Sequence, residues 1–188
     1  MKILSIECSS GSGSIALVEG GRTYWELVFE NPRGRGGEFF AALEEAAIRC
    51  DDFGCVLVGT GPGSYNGLRA SIAAAWGLAR ARGVALQGIS SVFGYDAAEY
   101  VVLGDARAGQ WFFAHVRDGR LVRDIELLSP EEARNSIPRG LPVFTTSPLM
   151  ESACFEYPRA RFFPARIDQA GPAEPIYLKP PHITKPAA

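Results

Sequence analysis

The residues in this chain with the clearest chemical potential form a glycine-rich segment, Gly59 to Arg69. The segment follows the apolar run Cys55 to Val58 and leads into a run with helical spacing, Leu68 to Arg82. Glycine permits positive φ and the close approach of a backbone or a ligand, and free N–H groups at a helix start favour anions. The pattern indicates either an anion-binding turn or a tight strand-to-helix turn with no ligand. The candidate contacts in the first case are Gly61, Gly63 and Ser64, with Ser9 after the first predicted strand.

Two familiar phosphate loops do not fit this segment. A Walker-type P-loop needs a Lys-Ser or Lys-Thr pair after its last glycine, and here Arg69 lies inside the predicted helix instead. The dinucleotide fingerprint needs the first strand of a βαβ unit, whereas three predicted strands and a helix precede this segment.

Two carboxylates, Glu7 and Asp105, each end a predicted strand. Facing each other across a cleft, they could hold Mg²⁺ or act as a general base. Alternatively, each accepts hydrogen bonds from N–H groups of the turn that follows its strand. We favour capping, because an ATP site also needs phosphate loops in both halves of the chain. Ser9 and Ser64 have no histidine placed by the sequence to activate them, which gives a serine hydrolase little support.

The elements that must position these residues are read from hydrophobic spacing and turn signals. The first half predicts strands at 3–7, 14–19 and 24–29, a helix at 38–49, a strand at 55–58, a helix at 68–82, a strand at 84–89 and a short helix from Ser91. The Gly20-Gly21 pair predicts a hairpin. The element order is therefore βββαβαβα.

The second half begins with the same plan. Strands are predicted at 101–105, 111–117 and 121–128, with a hairpin turn at Asp118-Gly119. Ser129-Pro130-Glu131-Glu132 then has the pattern of a helix start with a capping box. A constant shift of about 98 residues places Glu7 on Asp105 and Gly21 on Gly119, which indicates an internal duplication.

A duplicated βββαβα unit is the layout of the actin, Hsp70 and sugar-kinase (ribonuclease H-like) superfold, which clamps ATP between its halves. We therefore predict an α/β fold with an N-terminal unit at 1–98 and a shortened C-terminal unit at 99–188. The same shift carries the glycine segment onto Arg159–Phe163, where there is no glycine, and the remaining chain is rich in proline. The sequence thus predicts that half of the nucleotide clamp is missing.

The chain resembles the TsaB family, also called YeaZ, which acts in making threonylcarbamoyladenosine in tRNA. Matching segments occur in order along nearly the whole chain, and the glycine segment is the most specific of them. They are Ile3 to Ser10, Gly61 to Arg69, Gly88 to Ser91, Asp105 to Arg107 and Pro175 to Leu178. The chain has Glu7-Cys8-Ser9 where family members usually have Asp-Thr-Ser.

This resemblance implies a non-catalytic subunit without a cofactor or metal of its own. Such proteins pair with a related metal-binding catalytic subunit, TsaD, which transfers the threonylcarbamoyl group to an adenosine beside the anticodon, and the ATPase TsaE joins them. The metal-binding histidines of the catalytic relative would lie in the helix at 38–49, which has no histidine here. The resemblance also implies tRNA contact through the complex, with ATP or ADP, if present, at the joint interface.

The two long predicted helices are rich in small residues, which let a partner helix approach closely. For the second helix we predict a buried stripe of Leu68, Ile72, Trp76 and Ala79. By the resemblance, the helix pair packs against the matching pair of TsaD or against a second copy of this chain. The predicted partner-binding residues are Ala41, Ala42, Ala70, Ala73, Ala74 and Gly77. Intramolecular packing of the small residues is the alternative.

Composition limits the other classes of function. The net charge of -2 gives no overall attraction to RNA or to an anionic membrane, although Arg33 and Arg35 could contact tRNA phosphates locally. Four cysteines without a CxxC pair make a zinc site a poor fit. The absence of a leader or long apolar run predicts a cytoplasmic protein. An ATP-binding phosphotransferase and, with less support, a peptidase-like hydrolase are the alternatives to a partner subunit.

Overall fold

Residues 1–31 and 36–179 are described by a computed structural model of the chain, in which two mixed sheets form the framework. The first sheet has the order β3-β2-β1-β4-β5. Its central strand β1 is parallel to β4 and antiparallel to β2. The strands are β1 (Lys2–Glu7), β2 (Ser12–Glu19), β3 (Arg22–Glu30), β4 (Cys55–Gly59) and β5 (Ala85–Ile89).

Glycines in the left-handed region set two of the turns around this sheet. Gly20 and Gly21 have φ of 56° and 79°, as a two-residue hairpin between β2 and β3 requires. The helices α1 (Gly37–Arg49) and α2 (Tyr65–Arg82) pack on one face of the sheet. Gly83, with φ of 67°, ends α2 in the left-handed conformation typical of helix C-termini.

The second sheet repeats this plan in the order β11-β10-β6-β7-β8, and β9 also pairs with β7. Its elements are β6 (Glu99–Asp105), β7 (Trp111–Arg117), β8 (Arg120–Leu121), β9 (Glu126–Leu128), α3 (Pro130–Asn135), β10 (Val143–Thr145) and β11 (Cys154–Phe155). Central β6 is parallel to β10 and antiparallel to β7, as β1 is to β4 and β2. The matching strand orders confirm the duplicated α/β fold and the shortened second unit.

Two sequence predictions in the second unit are wrong. The strand expected at 121–128 is divided into β8 and β9, because the polar residues Arg123 and Asp124 interrupt the apolar run. The counterpart of β4 is β10, so the counterpart of the glycine segment follows Thr145 instead of lying at Arg159–Phe163. A constant shift fails here because α3 has 6 residues whereas α1 has 13.

The two sheets share one apolar core. A 3₁₀ segment, Ala160–Gln169, lies between them and contacts β1, β2, β4 and β5. Its Phe163 is fully buried in a cluster with Leu57 of the first sheet and Tyr100 of the second. The Ala160 backbone N–H donates to Ser14 Oγ at 2.8 Å, which fixes the segment to β2. The two units are therefore joined by a continuous packed interior.

Within residues 1–31 and 36–179, none of the helices has the length and apolar character needed to cross a bilayer.

Candidate functional site

The glycine segment connects β4 to α2 and packs directly on the turn that follows β1. A Cβ on Gly63 would lie 2.1 Å from the Ser9 carbonyl oxygen. A Cβ on Gly67 would lie 2.2 Å from the Cys8 carbonyl oxygen. Gly61 adopts φ of 94°, which L side chains rarely adopt. Gly63 and Gly67 are therefore required by the contact between two backbone segments of this chain, and Gly61 by its own backbone conformation.

Hydrogen bonds within the chain engage the polar groups of the segment. The Ser64 N–H donates to the Ser9 carbonyl at 2.6 Å, and Ser64 Oγ accepts from the Gly67 N–H at 3.4 Å as the N-cap of α2. Ser91 Oγ accepts from the Gly61 N–H at 3.0 Å, and Ser90 Oγ donates to the Gly61 carbonyl at 2.9 Å. These contacts favour a tight turn that needs no ligand.

Glu7 lies behind this segment with no exposed surface. Its Oε1 accepts from the Ser9 N–H at 2.5 Å, and its Oε2 accepts from Ser91 Oγ at 2.6 Å. Burial raises the pKa of Glu7, and the two hydrogen bonds only partly offset that effect. A Cβ on Gly59 would lie 2.0 Å from Glu7 Oε2, so the Gly59 backbone packs directly against this carboxylate.

Asp105 has the equivalent position in the second unit and a different environment. It is exposed, and its Oδ1 accepts from the Arg107 N–H at 2.7 Å. Both carboxylates thus accept from the backbone N–H two residues further on, which confirms the capping interpretation. Glu7 is enclosed and Asp105 is exposed, so the two carboxylates have different surroundings.

A C-terminal strap, Gly171–Lys179, runs over the glycine segment and reaches the second unit. Gly171 forms reciprocal backbone hydrogen bonds with Gly88, at 2.8 and 2.9 Å, and the Ile176 N–H donates to the Thr60 carbonyl at 2.8 Å. Lys179 Nζ donates to the Arg107 carbonyl at 2.8 Å, in the turn between β6 and β7. The strap therefore connects the glycine segment with the turn after Asp105.

The outer face of α2 differs from its prediction. Trp76 is 59% exposed, so its predicted place in the buried stripe is wrong; the residues of α2 that are buried are Leu68, Ser71, Ile72, Ala75 and Ala79. The buried stripe of α2 continues from Ile72 through Ala75 to Ala79, at three- and four-residue spacing, and so does not include Trp76. Trp76 therefore lies on the outside, beside small residues.

The predicted partner-binding residues divide by exposure. Those exposed are Ala41, Ala70, Ala73 and Gly77, and Ala74 is half-buried. Ala42 lies on the buried face of α1, in the core, and cannot reach a partner. We define the small-residue face as Ala70, Ala73 and Gly77 of α2. On α1 and α2, the large exposed apolar side chains that the sequence prediction had not assigned to a surface are Phe40, Ile48, Tyr65 and Trp76.

The remaining candidates have structural roles or lie outside the described part of the chain. His115 Nε2 is 2.9 Å from Glu99 Oε1, a hydrogen-bonding contact within the second sheet. Arg33 and Arg35, predicted to contact phosphates, lie outside the described residues. Among residues 1–31 and 36–179, no group of three or more His, Cys, Asp or Glu side chains could hold a metal ion.

Sequence reasoning missed Ser91 and Tyr177, which lie far along the chain from their partners. Ser91 is 84 residues from Glu7, and hydrogen-bond partners at that separation leave no local spacing signal. The ring of Tyr177 lies against that of Tyr65, at a centroid distance of 5.3 Å. The family resemblance included Gly88 to Ser91 and Pro175 to Leu178, and these matching motifs were the sequence signal for both residues.

The sequence of this chain is similar to one protein family and to several mycobacterial proteins. Residues 39–125 match the family described as TsaD: tRNA N6-adenosine threonylcarbamoyltransferase. An uncharacterized protein of Mycobacterium tuberculosis is 30% identical over 162 residues, covering 79% of this chain and 74% of the relative. A protein of Mycobacterium bovis, also uncharacterized, matches to the same extent, at 30% identity over 79% of this chain and 74% of its own.

Two solved structures from Pseudomonas aeruginosa share the fold. YeaZ has a TM-score of 0.75 at 20% identity, with 94% of this chain and 99% of that chain covered. A second structure, described as an uncharacterized protein with similarity to peptidase YeaZ, has a TM-score of 0.74 at 19% identity, with 95% and 99% covered. Given the duplicated fold, its motifs in order along the chain, and these relatives, this chain belongs to the TsaB/YeaZ family of tRNA-modification proteins, which is related to TsaD.

Proposed function

We propose that this chain is a non-catalytic partner subunit that binds a TsaD-type catalytic subunit through α1 and α2, in a complex that a TsaE-type ATPase joins. The observation that carries the proposal is the outer surface of α2. Its small-residue face lies beside an exposed indole, Trp76. A Cβ on Gly77 meets no atom of this chain within 4 Å, so a neighbouring backbone has room to approach.

The composition of this surface suits a helix from another protein. Small residues let two helix axes come close, and a bulky aromatic side chain then supplies buried area at the contact. Phe40 and Ile48 of α1 add exposed apolar area on the second helix of the same layer. Exposed apolar groups collected on one face are typical of an interaction surface.

Three features support a non-catalytic role. The helix α1, where the catalytic relative would have its metal-binding histidines, has none. Glu7 is enclosed and its lone pairs accept from Ser9 and Ser91. The strap uses the Thr60 carbonyl and crosses the glycine segment. Threonylcarbamoyl transfer is therefore assigned to the partner, and any ATP or ADP to the joint interface.

The proposal is tested by pairing measurements with Gly77→Glu. A glutamate there keeps the fold, since its Cβ is unobstructed, but places a charge in the contact with the partner helix. We expect a purified TsaD-type subunit to bind the wild-type chain and to bind Gly77→Glu at least about tenfold more weakly, from the loss of well over 1 kcal/mol. Isothermal titration calorimetry measures both affinities.

Val122→Glu is the matched control, because Val122 is an exposed apolar residue in the second unit. Its affinity for the catalytic subunit should equal that of the wild type. Light scattering of the isolated chain shows whether the same face also forms a homodimer, which Gly77→Glu would then dissociate. Unchanged pairing of Gly77→Glu would place the interface elsewhere.

A modification assay with purified components tests which subunit catalyses the transfer and whether this chain is required for it. With tRNA and an activated threonylcarbamoyl donor supplied, threonylcarbamoyladenosine should form only when the catalytic subunit, the ATPase and this chain are all present. Product formed by this chain alone would contradict the non-catalytic role. Tight binding of Mg-ATP by the isolated chain would instead support the ATP-binding alternative.

A further inference from the structure

Two half-exposed tyrosines lie together where the glycine segment enters α2. Tyr65 is 44% exposed and Tyr177 is 48% exposed. Their ring centroids are 5.3 Å apart with an angle of 32° between the planes. Tyr65 belongs to the first turn of α2 and Tyr177 to the strap, so both rings are positioned by backbone that is held by hydrogen bonds. We call them the tyrosine pair.

One cationic side chain lies over a ring of the tyrosine pair, and a second one follows in the strap. The Arg69 guanidinium lies 5.1 Å from the centroid of the Tyr65 ring, and its Nη1 donates to the Tyr65 hydroxyl at 2.5 Å. Lys179 follows Tyr177 by two residues and donates to the Arg107 carbonyl. Within the described residues, neither Arg69 nor Lys179 forms an ion pair with a carboxylate. Asp105 and Glu174 are the exposed acidic residues on the adjoining turn and strap.

Exposed rings next to unneutralised cations are the combination that binds single-stranded nucleic acid. Unpaired bases stack on aromatic side chains, and arginine or lysine contacts the phosphates between them. Base-paired stems present their phosphates but not the faces of their bases. Such a surface therefore distinguishes an unpaired loop from a duplex.

We propose that the tyrosine pair, with Arg69 and Lys179, binds an unpaired segment of RNA, and that this subunit thereby contacts the tRNA substrate directly. The inference rests on the proposed function, which supplies the tRNA. The location of the tyrosine pair supports the inference. Tyr65 and Arg69 lie at the start of α2, and the turns that follow carry the small-residue face. An RNA loop held here lies at the edge of the surface assigned to the catalytic subunit.

The chemistry favours RNA over an acidic peptide as the occupant. The carboxylates of an acidic peptide would contact only Arg69 and Lys179. The half-exposed tyrosine rings would then have no partner in the complex. Because the chain as a whole has a net charge of -2, attraction is confined to this patch. Binding to the isolated chain is accordingly weak and dependent on salt.

The test measures fluorescence anisotropy of a labelled RNA hairpin with an unpaired loop, titrated with the isolated full-length chain. Tyr65→Ala and Tyr177→Ala should each weaken binding about tenfold, the loss of one stacked base. Tyr65→Phe keeps the ring but loses the hydroxyl that accepts from Arg69, so it should bind more tightly than Tyr65→Ala. Arg69→Gln should lower the dependence of binding on salt by about one phosphate contact.

Matched controls separate a local effect from a general one. Tyr24 is 47% exposed at the far end of the first sheet, so Tyr24→Ala should leave RNA affinity unchanged. Arg80→Gln, in the last turn of α2, controls for the loss of one positive charge. Circular dichroism of each variant verifies the fold. Unchanged affinity of folded Tyr65→Ala and Tyr177→Ala would overturn the inference, as would equal binding of a blunt duplex or equally effective competition by polyglutamate.

Failure of this inference is distinguishable from failure of the proposed function. The same tyrosine variants are titrated with the TsaD-type subunit, and we expect normal pairing. Gly77→Glu should show the reverse, with pairing lost and RNA affinity retained. If the tyrosine variants pair normally with the catalytic subunit and bind RNA as the wild type does, only the RNA-binding inference is contradicted. If the wild-type chain does not pair with the catalytic subunit, the proposed function is contradicted.

Discussion

At the residue scale, Glu7 shows how surroundings decide what a carboxylate does. Read along the sequence, Glu7 and Asp105 have the same position in two repeats. In the structure one is enclosed between Gly59 and Ser91 and the other is exposed. Both accept from the N–H two residues further on, so the shared feature is a turn cap, inherited by both units.

The raised pKa of Glu7 gives a prediction about pH. A carboxyl group whose pKa is higher in the folded state binds more protons folded than unfolded, so its contribution to stability is greatest at low pH. That contribution declines as pH rises above the ordinary glutamate value and is lost above the folded pKa. Between the two, the free energy of unfolding should fall by up to about 1.4 kcal/mol per pH unit.

Glu7→Gln removes this dependence, because an amide does not titrate. Urea unfolding of the wild type and of Glu7→Gln at several pH values above 4 measures the difference. We expect the advantage of the wild type to shrink with rising pH. If the free energy of unfolding changed with pH in the same way for both proteins, the pKa of Glu7 would not be raised by folding.

A second prediction concerns two glycines with opposite surroundings. Gly63→Ala places a methyl group against the Ser9 carbonyl, a rigid backbone atom, and should destabilise the fold by about 1–3 kcal/mol. Gly77→Ala meets nothing and gains helix propensity, which should stabilise by up to about 1 kcal/mol. Denaturant midpoints compare the two. Equal effects would contradict the assignment of Gly63 to a backbone contact.

At the element scale, α2 determines which surface the protein presents. Its buried side chains are mostly small, so the sheet side and the outer side differ little in hydrophobicity. Trp76 is on the outer side although a tryptophan on a helix is normally taken as core. The exposed small residues next to it are what makes α2 a candidate docking helix.

This arrangement predicts a contrast between two substitutions four residues apart. Ile72→Ala removes a buried side chain and should cost about 2–5 kcal/mol. Trp76→Ala removes a larger but exposed one and should change stability by no more than about 0.5 kcal/mol. Thermal unfolding measures both. A large loss for Trp76→Ala would mean that the indole packs against this chain after all.

Local signals in the sequence predicted most elements, because their causes are local. Gly20 and Gly21 form the expected hairpin turn, and Ser129 with Glu132 forms the expected capping box. The burial of α2 was harder to predict, since alanine fits either side of a helix. The break between β8 and β9 comes from Arg123 and Asp124. Polar residues also alternate with apolar ones in the flanking strands, so these two did not stand out in the sequence as a break.

The candidate site was predicted only in outline. The sequence located the glycine segment and the capping carboxylates. It could not show that Ser91 and the strap complete the site, because those contacts join residues far apart in the chain. Long-range hydrogen bonds depend on the fold of both units, and no spacing rule expresses them.

At the scale of the whole molecule, the two units behave as one packed body. The 3₁₀ segment fills the space between the sheets, and Phe163 is buried by residues of both. Proteins that close around a nucleotide by moving two lobes need an interface that can open. A continuous apolar core opposes such opening, which agrees with a subunit that presents a fixed surface.

Cooperativity of unfolding tests this view. Trp25 lies in the first unit and Trp111 in the second, so single-tryptophan variants report each unit separately. Their denaturant transitions should coincide. Phe163→Ala should shift both transitions together, by about 3–5 kcal/mol. Two separated transitions, or a shift of only one, would show that the units are independent.

The edge strand β11 has a practical consequence. Cys8, Cys50 and Cys55 are buried, whereas Cys154 of β11 is exposed. Burial also raises the pKa of Cys8 and of Cys55, which keeps both thiols protonated. A maleimide dye added to the native protein should therefore attach at Cys154 alone. The unmodified chain thus provides a single attachment point on the second sheet, from which energy transfer to a labelled subunit or RNA can be measured.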